Sequence, residues 1–271
     1  MADLVARACA AYAWQRALGH EVVEHPLCRI VRDPAHPDVW DANHVSGVRA
    51  ADAPEVDTVL RQADAALARC AHRLFVVDPL TPPAFAARLA LDDYRELTPT
   101  IQMVLDGPLR AAPPAVALRP VTRAADWQSL AALLAADHAE GARTGGPIPA
   151  HVTDGMLASY RAKAPAYQFY LARVGGEDCA YGAGVRCAGD LGMVEDLFTL
   201  PRLRRRGIAG AIIARAVADL RRGGSGPVLI GAHAGEPPKR LYAALGFAPV
   251  CVTREYIVHV ASGQGFTRRT E

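Results

Sequence analysis

The stretch that most restricts how this chain can fold runs from Leu191 to Gly224 and reads LGMVEDLFTLPRLRRRGIAGAIIARAVADLRRGG. Met193 to Leu200 is strand-like, Pro201 breaks it, and arginines follow at 202, 204, 205 and 206 before a helix opens at Gly207. Ile208, Ile212, Ala216 and Leu220 recur every four residues with Ile213 and Val217 beside them, which gives the helix one apolar face to lay on a sheet. Arg221 and Arg222 followed by Gly223 and Gly224 form its stop signal, since cations suit the carbonyl end and glycine accepts positive φ. At the other end, Gly207, Ala209, Gly210 and Ala211 leave the first turn almost bare. Its free N–H groups and the helix dipole favour an anion there, and the arginines add positive potential. The pattern is a phosphate cradle that is neither G-x-G-x-x-G nor G-x-x-x-x-G-K-[ST].

At 271 residues the chain has room for one large or two small domains. Half of it is apolar (51%), yet no uninterrupted apolar run reaches the roughly 20 residues that span a bilayer. A soluble, cytoplasmic protein is expected, because the charged amphipathic start (Asp3, Arg7, Arg16) does not fit a secretory signal. The six cysteines are scattered, without C-x-x-C or Cys/His spacing, so they read as reduced core thiols and no metal site is expected. A net charge of +2 leaves no footprint for nucleic acid. High Ala, Arg and Pro with only two lysines is the composition of a high-GC bacterial genome.

Read in order, helices are expected at residues 3–18, Pro54–Ala71, Pro83–Leu91, Ala124–Glu140, Thr153–Lys163 (with Thr153 as N-cap), Gly207–Arg222 and Pro237–Leu245. Strands are expected at Leu27–Val31, Asn43–Val48, His72–Val77, Thr100–Leu105, Ala115–Pro120, Tyr167–Val174, Ala180–Cys187, Met193–Leu200, Val228–Ala232 and Pro249–Val260. Gly107-Pro108 and Pro113-Pro114 mark a boundary. Domains are therefore expected at 1–112 and 113–262, with a flexible tail at 263–271.

An internal repeat accompanies that division. At a constant offset of 153, Asn43–Leu105 falls without a gap on Asp196–Val258, so two copies of one unit are expected. In the first copy Arg204, Gly207 and Ala209 are replaced by Ala51, Pro54 and Val56, and Tyr242 by Leu89. A valine at the turn that needs close backbone approach, with no arginine beside it, should not hold a pyrophosphate.

Arg204-Arg205-Arg206-Gly207-Ile208-Ala209 resembles the (Q/R)-x-x-G-x-(G/A) pyrophosphate loop of the GNAT superfamily of acyl-CoA-dependent N-acyltransferases. Arg240-Leu-Tyr-Ala-Ala-Leu-Gly-Phe247 resembles that family's second cofactor motif. The resemblance implies an α/β (α+β) protein of two GNAT-like halves, each a mixed, mostly antiparallel central sheet flanked by helices, as in tandem GNAT proteins. The first half would be a degenerate partner and the second the catalytic one.

The implied reaction is direct attack of a small-molecule or peptide amine on acetyl-CoA, with neither a metal nor a covalent enzyme intermediate. By resemblance, Arg204, Arg205, Arg206, Gly207, Ile208, Ala209 and Gly210 hold the pyrophosphate. Phe198, Thr199 and Leu200 offer backbone groups to the pantetheine arm, on a central strand that bulges away from its neighbour, and an N–H near Phe198 faces the thioester oxygen.

Tyr242 is the implied general acid, a phenol of pKa about 10 being suited to protonating a thiolate. The alternative for Tyr242 is a core position beside Leu241 and Leu245. Glu195, in a run similar to the corresponding strand of the spermidine/spermine acetyltransferases, is the implied base. Glu195 and Asp196 point to opposite faces of a strand, so only one can see the amine, and either could instead bind a cation. His233 is a reserve base with a structural alternative. Gly235 stands where the family often has Asn, and Pro238 follows it, which puts one cofactor hydrogen bond in doubt. A longer acyl-CoA donor and a noncatalytic acyl-CoA-binding regulatory module are the rival readings. The acceptor is not specified by the sequence, and a homodimer is left open.

Overall fold

The computed structural model describes residues 2–141, 146–164 and 166–260. They form two compact units that are not contiguous in sequence. One holds residues up to Ile101, His233–Gly235 and the chain from Cys251; the other holds Gln102–Ala232 and Glu236–Val250. The tail expected at 263–271 lies outside the described residues.

The first unit begins with α1 (Ala2–Ala17), the hairpin of β1 (Glu21–His25) and β2 (Cys28–Arg32), and β3 (His44–Ser46). It continues through α2 (Ala53–Ala66), β4 (His72–Val77), α3 (Pro83–Leu91), β5 (Arg95–Glu96) and the start of β6 (Thr100–Leu105). β2 pairs antiparallel with β1 and β3, β3 parallel with β4, and β4 antiparallel with residues 254–259 of the last strand. Val56, Val59 and Ala63 of α2 and Phe85 and Leu89 of α3 close one core against Ile30, Val45 and Phe75.

Several expectations change here, and the two-residue β5 is one strand the sequence did not mark. Helix α2 stops at Ala66, five residues short of Ala71, and the edge strand β1 was not anticipated. Val22 and Val23 sit between Glu21 and Glu24 on a largely exposed strand, so no apolar alternation marks it.

The second unit carries β7 (Ala117–Pro120), α4 (Ala124–Glu140), α5 (Ala150–Lys163), β8 (Tyr167–Val174), β9 (Glu177–Arg186) and β10 (Gly192–Thr199). After these come α6 (Ile208–Arg222), β11 (Val228–His233), α7 (Pro238–Leu245) and β12 (Ala248–His259), which runs on into the first unit. β7, β8, β9 and β10 are successively antiparallel, and β10 pairs parallel with β11, as a strand, helix, strand crossover requires. The sheet is thus mixed and mostly antiparallel, as expected.

Helix α6 buries Ile212, Ile213, Ala216, Val217 and Leu220 on β9 and β10. It can lie that close because β9 has glycine beneath it. A Cβ on Gly182 would stand 2.8 Å from Ile212 Cγ2 and 2.6 Å from Leu197 Cδ2. Helix α5 starts at Ala150 behind Pro149, so Thr153 is no N-cap. Its Oγ1 lies 2.8 Å from Nδ1 of the buried His138 instead. No described helix is long and apolar enough to cross a membrane.

The repeat is visible in the structure, and so is a gap in it. Phe247 N–H donates to Tyr242 C=O at 3.0 Å around Gly246 (φ +107°), and Tyr94 N–H donates to Leu89 C=O at 3.0 Å around Asp93 (φ +60°). These positions differ by 153. Val45 sits opposite Phe75, however, whereas Val228 sits opposite Gly192. If β4 matches β11 at 153, then β3 matches β10 at 147. The gapless alignment therefore fails, and the second copy has six additional residues between the registers of β10 and β11.

Candidate functional site

Those six residues lie where the sequence places the chemistry. Between Glu195, which faces Ala183, and Phe198, which faces Tyr181, two residues of β10 oppose Gly182 alone. Asp196 takes φ +55° in this bulge. The extra residue restores the pleat, so Glu195 and Phe198, three apart, project from the same face as Ala183 and Tyr181. On the other side of β10, the parallel register with β11 runs over Gly192–Val194 and Val228–Ile230. The stretch from Glu195 to Thr199 continues past it, which is the bulged, splayed strand the resemblance implied.

Glu195 is half-buried with its Oε1 shielded from solvent. Its charge reaches the Cys187 thiol, which burial first and Glu195 second push up to about 12. Phe198 is buried, with its ring 5.8 Å from that of Tyr181. The neighbouring backbone is partly committed. Thr199 C=O accepts from Arg204 Nε at 2.9 Å, and Leu200 N–H donates to Cys179 C=O at 2.9 Å. Phe198 and Thr199 also stand opposite Tyr181 and Ala180 in the ladder with β9, so the backbone of all three residues expected to face a pantetheine arm is partly engaged inside the protein.

After a single 3-10 turn at Pro201–Leu203, the loop reaches α6 through two left-handed residues, Arg205 (φ +63°) and Gly207 (φ +76°). A non-glycine residue in that region is costly and is characteristic of functional loops. Gly207 caps α6 without a side-chain hydrogen bond, and Ala211 N–H to Gly207 C=O, at 3.0 Å, is the first helical bond. The N–H groups of Ile208, Ala209 and Gly210 precede it and have no helical acceptor.

The matching helix of the first unit is closed. Asp52 Oδ1 accepts from Glu55 N–H at 3.0 Å, and Glu55 Oε2 accepts from Ala51 N–H at 2.8 Å. Carboxylates of the chain itself thus accept hydrogen bonds at that helix start.

The four arginines separate into two kinds. Arg202 pairs with Glu177, and Arg204 forks onto Glu140 at the end of α4, 5.8 Å over the Phe198 ring. Arg205 and Arg206 are exposed, and among the described residues neither enters an ion pair. Glu140 was not legible as part of the site, for it lies 64 residues before its partner on a helix with no motif.

Tyr242 is buried on α7, with its ring centroid 6.3 Å from that of Phe247. His233 belongs to the first unit, where its Nδ1 lies 3.4 Å from Thr98 C=O, and Gly235 lies beside Thr98. In the first unit Trp40 packs against His72 and His259, and Asn43 Nδ2 donates to the His36 and Val39 carbonyls, which closes the turn before β3. No group of His, Cys, Asp and Glu able to hold a metal occurs among the described residues.

Comparison with known proteins agrees with this geometry. Residues 165–249 match the acetyltransferase (GNAT) domain model. Among curated proteins none matches the chain by sequence. A GCN5-related N-acetyltransferase from Kribbella flavida superposes with a TM-score of 0.65 at 19% identity, covering 93% of this chain and 95% of that one. A conserved protein of unknown function from Staphylococcus epidermidis gives 0.68 at 9% identity, covering 89% and 95%. A tandem GNAT protein from the clavulanic acid biosynthesis pathway gives 0.53 at 14% identity, covering 76% and 69%. The bulged β10 and the uncapped start of α6 both fall inside the span that matches the acetyltransferase (GNAT) domain model.

Proposed function

We propose that the second unit is an acyl-CoA-dependent N-acyltransferase that passes acetyl from acetyl-CoA to an amine by direct attack, and that the first unit is its non-binding partner. The observation that carries this reading is the uncapped helix start at Ile208–Gly210, set directly after a strand that bulges at Asp196 and leaves its parallel neighbour. The two features supply an anion seat and a slot for an extended arm on one continuous piece of chain. The residues present fit a diphosphate: three N–H donors, an exposed Gly207 and two exposed guanidiniums.

Within this reading the Ile208, Ala209 and Gly210 N–H groups bind the diphosphate. Arg205 and Arg206 raise the local potential, and Arg204 positions the loop through Glu140 and Thr199. When bound, acetyl-CoA supplies a thioester carbonyl open to nucleophilic attack. In this reading an N–H near Phe198 meets that carbonyl oxygen. Glu195, partly withdrawn from water, takes the proton from the attacking ammonium. Tyr242, itself buried, gives its phenolic proton to the departing thiolate.

Following free thiol release from acetyl-CoA across a panel of amines tests the assignment. The account expects at least one amine to accelerate release in the wild type and not in Y242F. CoA binding without release for any amine or acyl donor would instead identify a regulatory acyl-CoA-binding module.

A further inference from the structure

Residues 106–116 join β6 to β7 without regular structure and run along α6. They touch other parts of the second unit, to which they belong, at three places. Near the end of α6, Arg221 Nη2 donates to Gly107 C=O at 2.6 Å. At the end of α7, Arg110 N–H donates to Leu245 C=O at 3.0 Å, and the Arg110 side chain lies over Gly246. At the start of α6, a Cβ on Gly210 would stand 3.8 Å from Pro113 Cβ, and one on Gly207 would stand 2.5 Å from Pro114 Cγ. Gly207, Gly210 and Arg221 share one side of the helix, since three and eleven residues are close to whole numbers of turns.

Space beside Gly207 that cannot take a methyl group cannot take a phosphate oxygen either. The proline pair thus occupies one side of the turn that the anion would use. Its hold is weak. Pro114 is exposed, proline has no N–H to bond with the helix, and the segment is tied down by two hydrogen bonds at its other end. A segment with few buried contacts and exposed hydrogen bonds opens at small free-energy cost.

We propose that residues 106–116 form a displaceable strap that covers the start of α6, so that the nucleotide end of the donor binds only after Pro113 and Pro114 lift away. The proposal rests on the reading of α6 as the diphosphate seat. It makes the apparent dissociation constant the intrinsic one divided by the fraction of molecules with the strap open. Loosening the strap therefore tightens binding.

The test is calorimetric titration of CoA into the wild type, into P113G/P114G, which loosens the covering end, and into R221A, which releases the far end without altering the cradle. Both variants are expected to bind CoA about 3- to 10-fold more tightly. CoA is also expected to speed hydrogen exchange at the strap amides of the wild type. Unchanged or weaker affinity in both variants, with CoA still bound, overturns the strap and leaves the acyltransferase reading intact. Absence of binding in all three proteins overturns both.

Discussion

Arg204 and Glu140 form a forked ion pair, with Nη1 to Oε1 at 2.8 Å, and the same guanidinium gives its Nε to the carbonyl of Thr199. One arginine thereby ties the loop before α6 to the end of β10 and to the last turn of α4. The pair also holds the Glu140 carboxyl below its ordinary range. Arg204 is the first residue of the motif, and its geometry makes it a brace.

Removing the brace is expected to loosen the loop without unfolding the domain. E140Q keeps the shape and loses the charge, so it should weaken CoA binding about 3- to 10-fold, in line with the roughly 1 kcal/mol of a well-formed exposed pair. Calorimetry with CoA alongside thermal unfolding checks this. A Tm shift of a few degrees without any change in affinity would show that the pair stabilises only the fold.

The proton donor and acceptor should separate kinetically. Y242F is expected to lower kcat about 100-fold with little change in the KM for acetyl-CoA. E195Q is expected to lower kcat similarly and to abolish its rise with pH on the acidic side, because that limb reports the base losing its proton. Steady-state rates from pH 5 to 9 distinguish these effects from a packing defect, which would leave the profile's shape unchanged.

The acid sensitivity of the second unit should be set by Asp126. This carboxylate accepts from the N–H of Arg123 at 3.0 Å and from Nε of Arg119 at 3.0 Å, and Arg119 also forks onto Asp178 at 2.6 Å. Hydrogen bonds from the Arg123 side chain and backbone, then from Arg119, hold Asp126 far below the carboxylate range. A depressed folded pKa contributes stability in full above the unfolded value of about 3.9 and loses it as pH falls toward the folded one. D126N should therefore cost about 2 kcal/mol in urea unfolding at pH 7, from the lost cap and the stranded arginine. The penalty should shrink by pH 2.5, and an equal penalty at both pH values would contradict the assignment.

The contact of α6 on the sheet leaves no spare volume at Gly182. G182V would drive methyl groups into Leu197 and Ile212, with a Cβ already 2.6 Å and 2.8 Å from them. The expected loss is about 1 to 3 kcal/mol, read from the denaturant midpoint. Because Leu197 lies in the bulge beside Phe198, the substitution should also reduce turnover.

What could be read ahead of the structure follows where local chemistry is self-sufficient. Pro83–Leu91, Thr100–Leu105 and Ala124–Glu140 end where the sequence places them, because prolines, glycines and apolar periodicity mark those ends without help from distant residues. The bare start of α6 was legible for the same reason. Thr153 was misread because Pro149 starts the helix earlier and His138, fifteen residues back, takes its hydroxyl. The six-residue expansion between the registers of β10 and β11 was hidden because β11 and the turn after α7, which follow it, fit the ungapped offset by themselves. Glu140 and Pro114 carry no motif, and only the folded chain brings them to Arg204 and Gly207.

The central claim is that the first turn of α6 grips a diphosphate, and A209D isolates it. An aspartate in the first turn suits the helix dipole, so the fold should be as stable as the wild type or slightly more so, while its carboxylate repels a phosphate at the same N–H groups. Calorimetric titration with CoA should give one-to-one binding to the wild type and no detectable heat with A209D at equal or higher Tm. No heat with well-folded wild type, or equal affinity in the two proteins, would contradict the account.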